Sequence, residues 1–112
     1  MGEKKKSDNL SSLELLYTTF QNEEQAKKVI KTLLERRLIA CSNVFEMNSL
    51  YHWKGEIESQ SEVGCFLKTT SVQMEALKDY LLKNHPYDVP CLINIHNSNL
   101  NAGFLEWVVV ST

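Results

Sequence analysis

The chain has 112 residues, 43% of them hydrophobic, and a formal charge of −2, which describes one water-compatible domain with a single core. The balance excludes nucleic acid as an expected partner, because the one basic cluster, Lys4-Lys5-Lys6, sits in a polar leader and reads as a solvated tail. No apolar run approaches a membrane span, and Met1 to Ser12 lacks the hydrophobic region of a secretory signal, so a disordered leader is expected before a domain over residues 13–112.

Leu13 to Thr19 is short, apolar and rich in Leu, Tyr and Thr, which predicts a strand. Asn22 then stands as a helix N-cap, with Gln25 three residues on and Glu23 and Glu24 at the positive end of the dipole. Ala26, Val29, Ile30, Leu33 and Leu34 form one apolar stripe, which predicts a helix ending near Arg36-Arg37. From Leu38 strand character returns and runs to Trp53, with an irregularity expected near Asn48-Ser49. Lys54-Gly55 supplies a tight turn, and Ile57 to Thr69 runs back, polar in its outer part and apolar in its inner part. Thr70 or Ser71 is the expected cap of a second helix with the stripe Ala76, Leu77, Tyr80 and Leu81. That helix must stop before Pro86. Cys91 to His96 reads as a last strand, and Asn101 as the cap of a closing helix through Phe104, Leu105, Trp107 and Val108.

The order βαββαβ plus a terminal helix predicts an α+β, ferredoxin-like fold around a four-stranded antiparallel sheet. Each arm of the hairpin would reach roughly 40 Å at ~3.3 Å per residue. A compact domain of this size is only about 35 Å across. The hairpin therefore projects, and a lone two-stranded ribbon is marginal in water. Tyr51 and Trp53 near its tip would face solvent, so a homo-oligomer that captures each ribbon is expected.

The chemistry-bearing residues cluster at His85-Pro86-Tyr87-Asp88-Val89-Pro90, where two prolines frame an imidazole, a phenol and a carboxylate. Three cysteines (Cys41, Cys65 and Cys91) make an odd count without CxxC spacing, which argues against a disulfide framework or a zinc ribbon and for reduced thiols in a cytoplasm-like compartment. His52, His85 and His96 complete the nitrogen donors, and no two ligands stand at a recognised local spacing. A metal site would have to be assembled in space. Cys41 and Cys65 read as buried, inert thiols; Cys91 follows Pro90 and is the thiol expected beside His85. Lys68 interrupts an apolar strand end, where the plain reading is a snorkelling surface lysine and the functional one an anion contact beside Tyr87 and Asp88. No nucleophile elbow, phosphate loop or zinc-protease motif occurs, so no enzyme is expected. The rival catalytic reading uses His85 as general base and Lys68 as an anion clamp, and requires the two to share a surface.

Five segments taken together resemble the CutA-type divalent-ion tolerance proteins. They are Leu38-Ile39-Ala40-Cys41-Ser42-Asn43, Ser49-Leu50-Tyr51-His52-Trp53-Lys54-Gly55, Phe66-Leu67-Lys68-Thr69-Thr70, His85-Pro86-Tyr87-Asp88-Val89-Pro90 and Phe104-Leu105-Glu106-Trp107. The resemblance implies a ferredoxin-like homotrimer, architecturally related to the PII signalling proteins, with the long hairpin packed against its neighbours. It also implies an association with copper or another divalent cation and no organic cofactor. On this reading His85 and Cys91 are the metal candidates, in a cleft between subunits near Tyr51, Trp53, Lys68, Tyr87, Asp88 and Trp107. Some bacterial relatives carry a first-strand cysteine and two histidines before the proline. Here Thr18 holds the strand position, and Asn84 precedes the single His85. Cys91 stands where glutamate is frequent, Asp88 replaces a common glutamate, and Phe104 a common tyrosine. The competing expectation is a PII-like signalling trimer that binds a small anion or an unidentified protein partner.

Overall fold

A computed structural model of the chain describes residues 12–96 and 100–112. Of the leader expected over Met1 to Ser12, all but Ser12 lies outside the described residues. The elements run β1 (Leu13–Phe20), α1 (Glu23–Glu35), β2 (Cys41–Trp53), β3 (Glu56–Thr70), α2 (Ser71–Asn84), β4 (Ile93–His96) and α3 (Ala102–Ser111). The four strands form one sheet in the order β2-β3-β1-β4, and every neighbouring pair is antiparallel. This is the ferredoxin-like arrangement that the element order predicts.

Local chemistry accounts for the boundaries. Asn22 caps α1, its Oδ1 accepting the Gln25 N–H at 2.8 Å, while Gln25 Oε1 reaches back to the Gln21 N–H at 2.9 Å. One orphan donor of the helix start is thereby satisfied, and the residue ahead of the cap is tied to the first turn. The first helix ends at Arg36, and Arg37 takes a left-handed φ of 57° that turns the chain into β2. The second cap differs from expectation. Thr70 occupies the N-cap position of α2, but neither hydroxyl closes a cap; Ser71 Oγ accepts from the Ser12 N–H instead, at 3.2 Å. The buried stripe of α2 is Met74, Leu77 and Leu81, whereas Ala76 is exposed. Asn101 likewise precedes α3 without a side-chain cap bond.

The core lies between the sheet and α1 with α2. Leu16, Phe20, Ala26, Leu33, Cys65, Leu67, Leu77 and Leu81 are fully buried there. Arg36 seats its guanidinium 4.9 Å from the Tyr80 ring centroid, which joins the two helices at one end. Side chains alternate across the strands, so Tyr17, Phe45 and Phe66 stand on the face away from α1 and α2, helix-free over most of its length, where centroids 5.5 and 5.8 Å apart make a short aromatic row. Gly64 makes room for it: a Cβ there would lie 2.7 Å from Phe45 Cε2. The third helix crosses one end of the same face, with Lys68 Nζ 5.5 Å from the Phe104 ring. Edge strand β4 is tied to β1 by the buried carboxylate of Glu14, which accepts from Asn94 Nδ2 and faces His96 Nδ1, both at 3.2 Å.

The hairpin is more regular than the sequence suggests, and its first arm starts at Cys41 rather than Leu38. Every residue of β2 from Cys41 to Trp53 has a partner in β3, so the irregularity expected at Asn48-Ser49 is absent. Lys54 (φ 51°) and Gly55 (φ 81°) make the two-residue turn, both left-handed as a type I′ turn requires. The molecule measures 56 × 27 × 20 Å, and residues 50–61 are exposed throughout.

Candidate functional site

Pro86 forbids helical backbone at the residue ahead of it, so α2 stops at His85, whose N–H still donates to the Leu81 carbonyl at 2.8 Å. The imidazole then turns under the end of β1. Its Nδ1 accepts the Tyr87 N–H at 3.0 Å, while Nε2 lies 2.9 Å from the Thr19 carbonyl and 3.2 Å from Thr18 Oγ1. A backbone N–H only donates and a carbonyl only accepts, so Nε2 carries the proton and the ring is the neutral tautomer. Stacking on Phe20, at 4.5 Å and 6°, completes its burial. Burial holds the His85 pKa below the usual imidazole value, against an upward contribution from the Thr19 carbonyl. Both nitrogens are therefore engaged within the protomer, and metal ligation by His85 requires one of these bonds to break. At the Thr18 position it is a hydroxyl that faces Nε2.

The loop continues around the sheet edge to the helix-free face. Tyr87 tilts against His85 at 5.0 Å and donates its hydroxyl to Glu62 Oε2 at 2.8 Å. Burial, followed by the hydrogen bond and charge of Glu62, raises the Tyr87 phenol above the ordinary tyrosine range. Three residues line a cleft of about 430 Å³ from the loop side: Tyr87, Val89 and Cys91. Thr19 and Gln21 close its floor, and Tyr51, Trp53, Gln60 and Glu62 form the hairpin wall. Tyr51 donates to Gln60 Oε1 at 2.6 Å, which fixes the ring across the ribbon. The Cys91 thiol is pushed above its usual pKa by burial and by the Glu62 carboxylate, so it is protonated at neutrality. Cys65, fully buried, is held at about 11 mainly by desolvation. All three thiols are unpaired.

The cleft thus brings together Tyr51, Trp53, Tyr87 and Cys91, with His85 behind its wall. Lys68, Asp88 and Trp107 do not line it. Lys68 pairs in register with Leu15 and Cys41, six residues along β3 from Glu62, or roughly 20 Å at ~3.3 Å per residue. There it meets Phe104, which stacks on Trp107 at 5.7 Å. Asp88 is exposed on the loop. The catalytic pairing of His85 with Lys68 fails on the same geometry, because one lies under the end of β1 and the other opposite Leu15. Sequence reasoning missed Glu62 and Gln60. Both sit in a polar stretch, Glu58 to Glu62, that carries no local sign of a site. Among the described residues no three His, Cys, Asp or Glu side chains converge as a metal-binding group. A second hollow, about 490 Å³, adjoins the cleft through Gln21 and Glu62 and carries Glu23 and Glu46.

With this geometry in place, comparison with known proteins decides the family. The sequence profile described as "CutA1 divalent ion tolerance protein" matches residues 14–111. The chain belongs to the CutA1 family. It is 46% identical over 98 residues to the divalent-cation tolerance protein CutA of Pyrococcus horikoshii, covering 88% of this chain and 96% of that one. Human protein CutA is 38% identical over 98 residues, which are 87% of this chain and 55% of the human protein. Among solved structures, CutA1 from Ehrlichia chaffeensis superposes with a TM-score of 0.88 at 37% identity, covering 91% of this chain and 96% of that one. The crystal structure of Pyrococcus horikoshii CutA gives 0.86 at 45% identity, covering 88% and 98%. CutA1 relatives are named for divalent-ion tolerance rather than for a reaction. Among the described residues no helix is long and apolar enough to cross a membrane.

Proposed function

We propose that this CutA1 protein acts in divalent-cation tolerance as a homotrimer that takes copper or another divalent cation weakly in the cleft at Cys91 and Glu62. The observation that carries the reading is the cleft itself: it pairs a thiol with a carboxylate, and among the described residues no basic one lines it. His85 positions the loop from behind through Tyr87. Two protein donors leave a cation undersaturated. A neighbouring copy is the source of the others, and the ribbon is what that copy covers, since Leu50, Trp53 and Ile57 are 70, 57 and 73% exposed. Unpaired thiols fit a reducing compartment, the cytoplasm. The anion-sensing alternative lacks support at this cleft, where Glu62 is the charged wall residue and Lys68 stands elsewhere.

Calorimetric titration with Zn(II), which does not oxidise thiols, tests the site. Cys91→Ser is expected to weaken binding at least tenfold, with His85→Ala having a smaller effect. Wild-type affinity should rise with pH, because the metal must displace the thiol proton. Equal heats for wild type and Cys91→Ser would remove the cleft as the metal site. Sedimentation of Trp53→Ala tests the assembly: its trimer should dissociate at concentrations where wild type stays intact.

A further inference from the structure

We infer that the protein has a second divalent-cation site, suited to Zn(II) or an ion of similar preference, built by Glu14, Asn94 and His96 where β4 meets β1. It goes beyond the cleft, shares no residue with it and asks nothing of a neighbouring copy. Along β1, Glu14 lies five residues from the cleft residue Thr19, or roughly 17 Å at ~3.3 Å per residue. Strand register brings the three side chains together. Glu14 is the cross-strand partner of His96, and Asn94 precedes His96 by two positions, so all three project from one face of the sheet. That face is the one Leu16 shares with the helices, opposite the row of Tyr17 and Phe66.

The inference starts from a buried carboxylate with few partners. Glu14 is only 7% exposed, and its two oxygens meet the Asn94 amide and the His96 ring. Among the described residues no lysine or arginine pairs with it. A buried carboxylate charge is costly unless an opposite charge answers it. The amide brings none, the imidazole brings one only when protonated, and a divalent ion brings two whatever the pH. A second observation points the same way: Asn94 Oδ1 is buried, and among the described residues it has no hydrogen-bond partner. A half-turn of the amide exchanges that orphan oxygen with Nδ2 at almost no change of shape. The oxygen then faces the carboxylate, an arrangement that a cation between the two makes favourable. Spacing agrees as well. A tetrahedral Zn(II) with bonds of ~2.0–2.1 Å holds neighbouring donors roughly 3.3 Å apart. Glu14 Oε2 and His96 Nδ1 are 3.2 Å apart. One imidazole among oxygen donors suits Zn(II), whereas magnesium and calcium take oxygen alone. The His96 side chain is 75% exposed, so the ion arrives from solvent and water completes its shell. On binding, Nδ1 gives up any proton it holds, and the neutral ring keeps its proton on Nε2.

Titration of the full chain carrying Cys91→Ser with Zn(II), followed by NMR of the His96 ring, reads the site at its own ligand. The ring signals should shift saturably. Adding Glu14→Gln, which keeps the shape and removes the charge, should weaken binding at least tenfold. Asn94→Asp, which makes the third donor a carboxylate, should tighten it about tenfold. Should Glu14→Gln fold poorly, His96→Gln changes an exposed side chain instead: in the Cys91→Ser background it should abolish the calorimetric heat that Cys91→Ser alone retains. A His96 ring that Zn(II) leaves unmoved would overturn the inference. A shift equally strong in Glu14→Gln would do so too, since it would reduce the site to a lone surface imidazole, and so would Asn94→Asp binding no tighter. A shift present in wild type and lost in Cys91→Ser would assign the effect to the cleft and overturn the second site while leaving the first standing.

Discussion

At its root the β2–β3 ladder pairs Val44 with Cys65 and Ser42 with Leu67, and one face is sealed by helices. Farther along, the same ladder pairs Tyr51 with Glu58 and Trp53 with Glu56, and both faces are open. The strand register is unbroken through both regions. What differs is burial. The comparison shows that pairing alone sets the path of the chain, whereas removal of apolar surface from water sets its stability. It also explains where the cleft forms, at the junction where the ribbon leaves the body and the His85 loop rounds the sheet edge.

The largest expected effect tests that contrast with two aliphatic truncations. Leu77 is fully buried in α2, and Leu77→Ala should cost about 2–5 kcal/mol through lost burial and a residual cavity. Ile57 is 73% exposed on the ribbon, and Ile57→Ala should cost the dissociated protomer less than ~0.5 kcal/mol. Chemical denaturation at low protein concentration measures both. Comparable losses would show that the ribbon is packed within one copy, and the contrast would collapse.

Gly64 sharpens the boundary between the regions, because it is the β3 partner of Phe45 where the helix-free face begins to open. A Cβ at Gly64 would meet Phe45 Cε2 at 2.7 Å, Cζ at 2.9 Å and Met47 Sδ at 3.1 Å. Gly64→Ala should therefore cost about 1–3 kcal/mol by displacing the ring. Pairing it with Phe45→Leu should recover much of the loss, and thermal melts of the single and double variants give the coupling.

The element order, the α1 cap and stripe, the Lys54-Gly55 turn and the projecting hairpin are all legible in the sequence, since each rests on local periodicity or turn chemistry. Ala76 misleads because a small side chain does not declare its face, and the α2 stripe runs through Met74 instead. Asn48-Ser49 suggests an irregularity only because polar residues interrupt the alternation; the register with Ser61 and Gln60 runs through both without a break. Glu62 is invisible for another reason. Its place in the cleft depends on a phenol 25 positions later in the chain, reached only once the loop has rounded the sheet. The sequence predicts Lys68 beside Tyr87, but Tyr87 bonds Glu62, and six residues of β3 separate Glu62 from Lys68.

A smaller effect follows from His85. Its folded pKa lies below the ordinary 6.5, so the unfolded chain binds more protons as the medium acidifies. The stability it contributes is intact above 6.5 and declines as pH falls from there through the folded value. His85→Gln should flatten that part of the stability profile between neutrality and about pH 5. An unchanged slope would mean that the dependence does not arise at His85.

The smallest effect is at the hairpin tip. Gly55 has φ 81°, with nothing within 4 Å of the place a Cβ would take, so Gly55→Ala meets strain but no clash. The penalty should be about 1–2 kcal/mol, the cost of left-handed backbone for an L side chain. Lys54 already bears such strain at φ 51°, so Lys54→Gly should loosen it with the opposite sign. Because the ribbon contributes little to the buried core, neither change should move the global melting temperature of the dissociated protomer much. Hydrogen exchange is the discriminating measurement: amides from Leu50 to Gln60 should lose protection in Gly55→Ala while those of β1 keep theirs. Equal losses in both strands would mean that the turn and the body unfold as one unit, and that burial does not divide this molecule as its exposed ribbon implies.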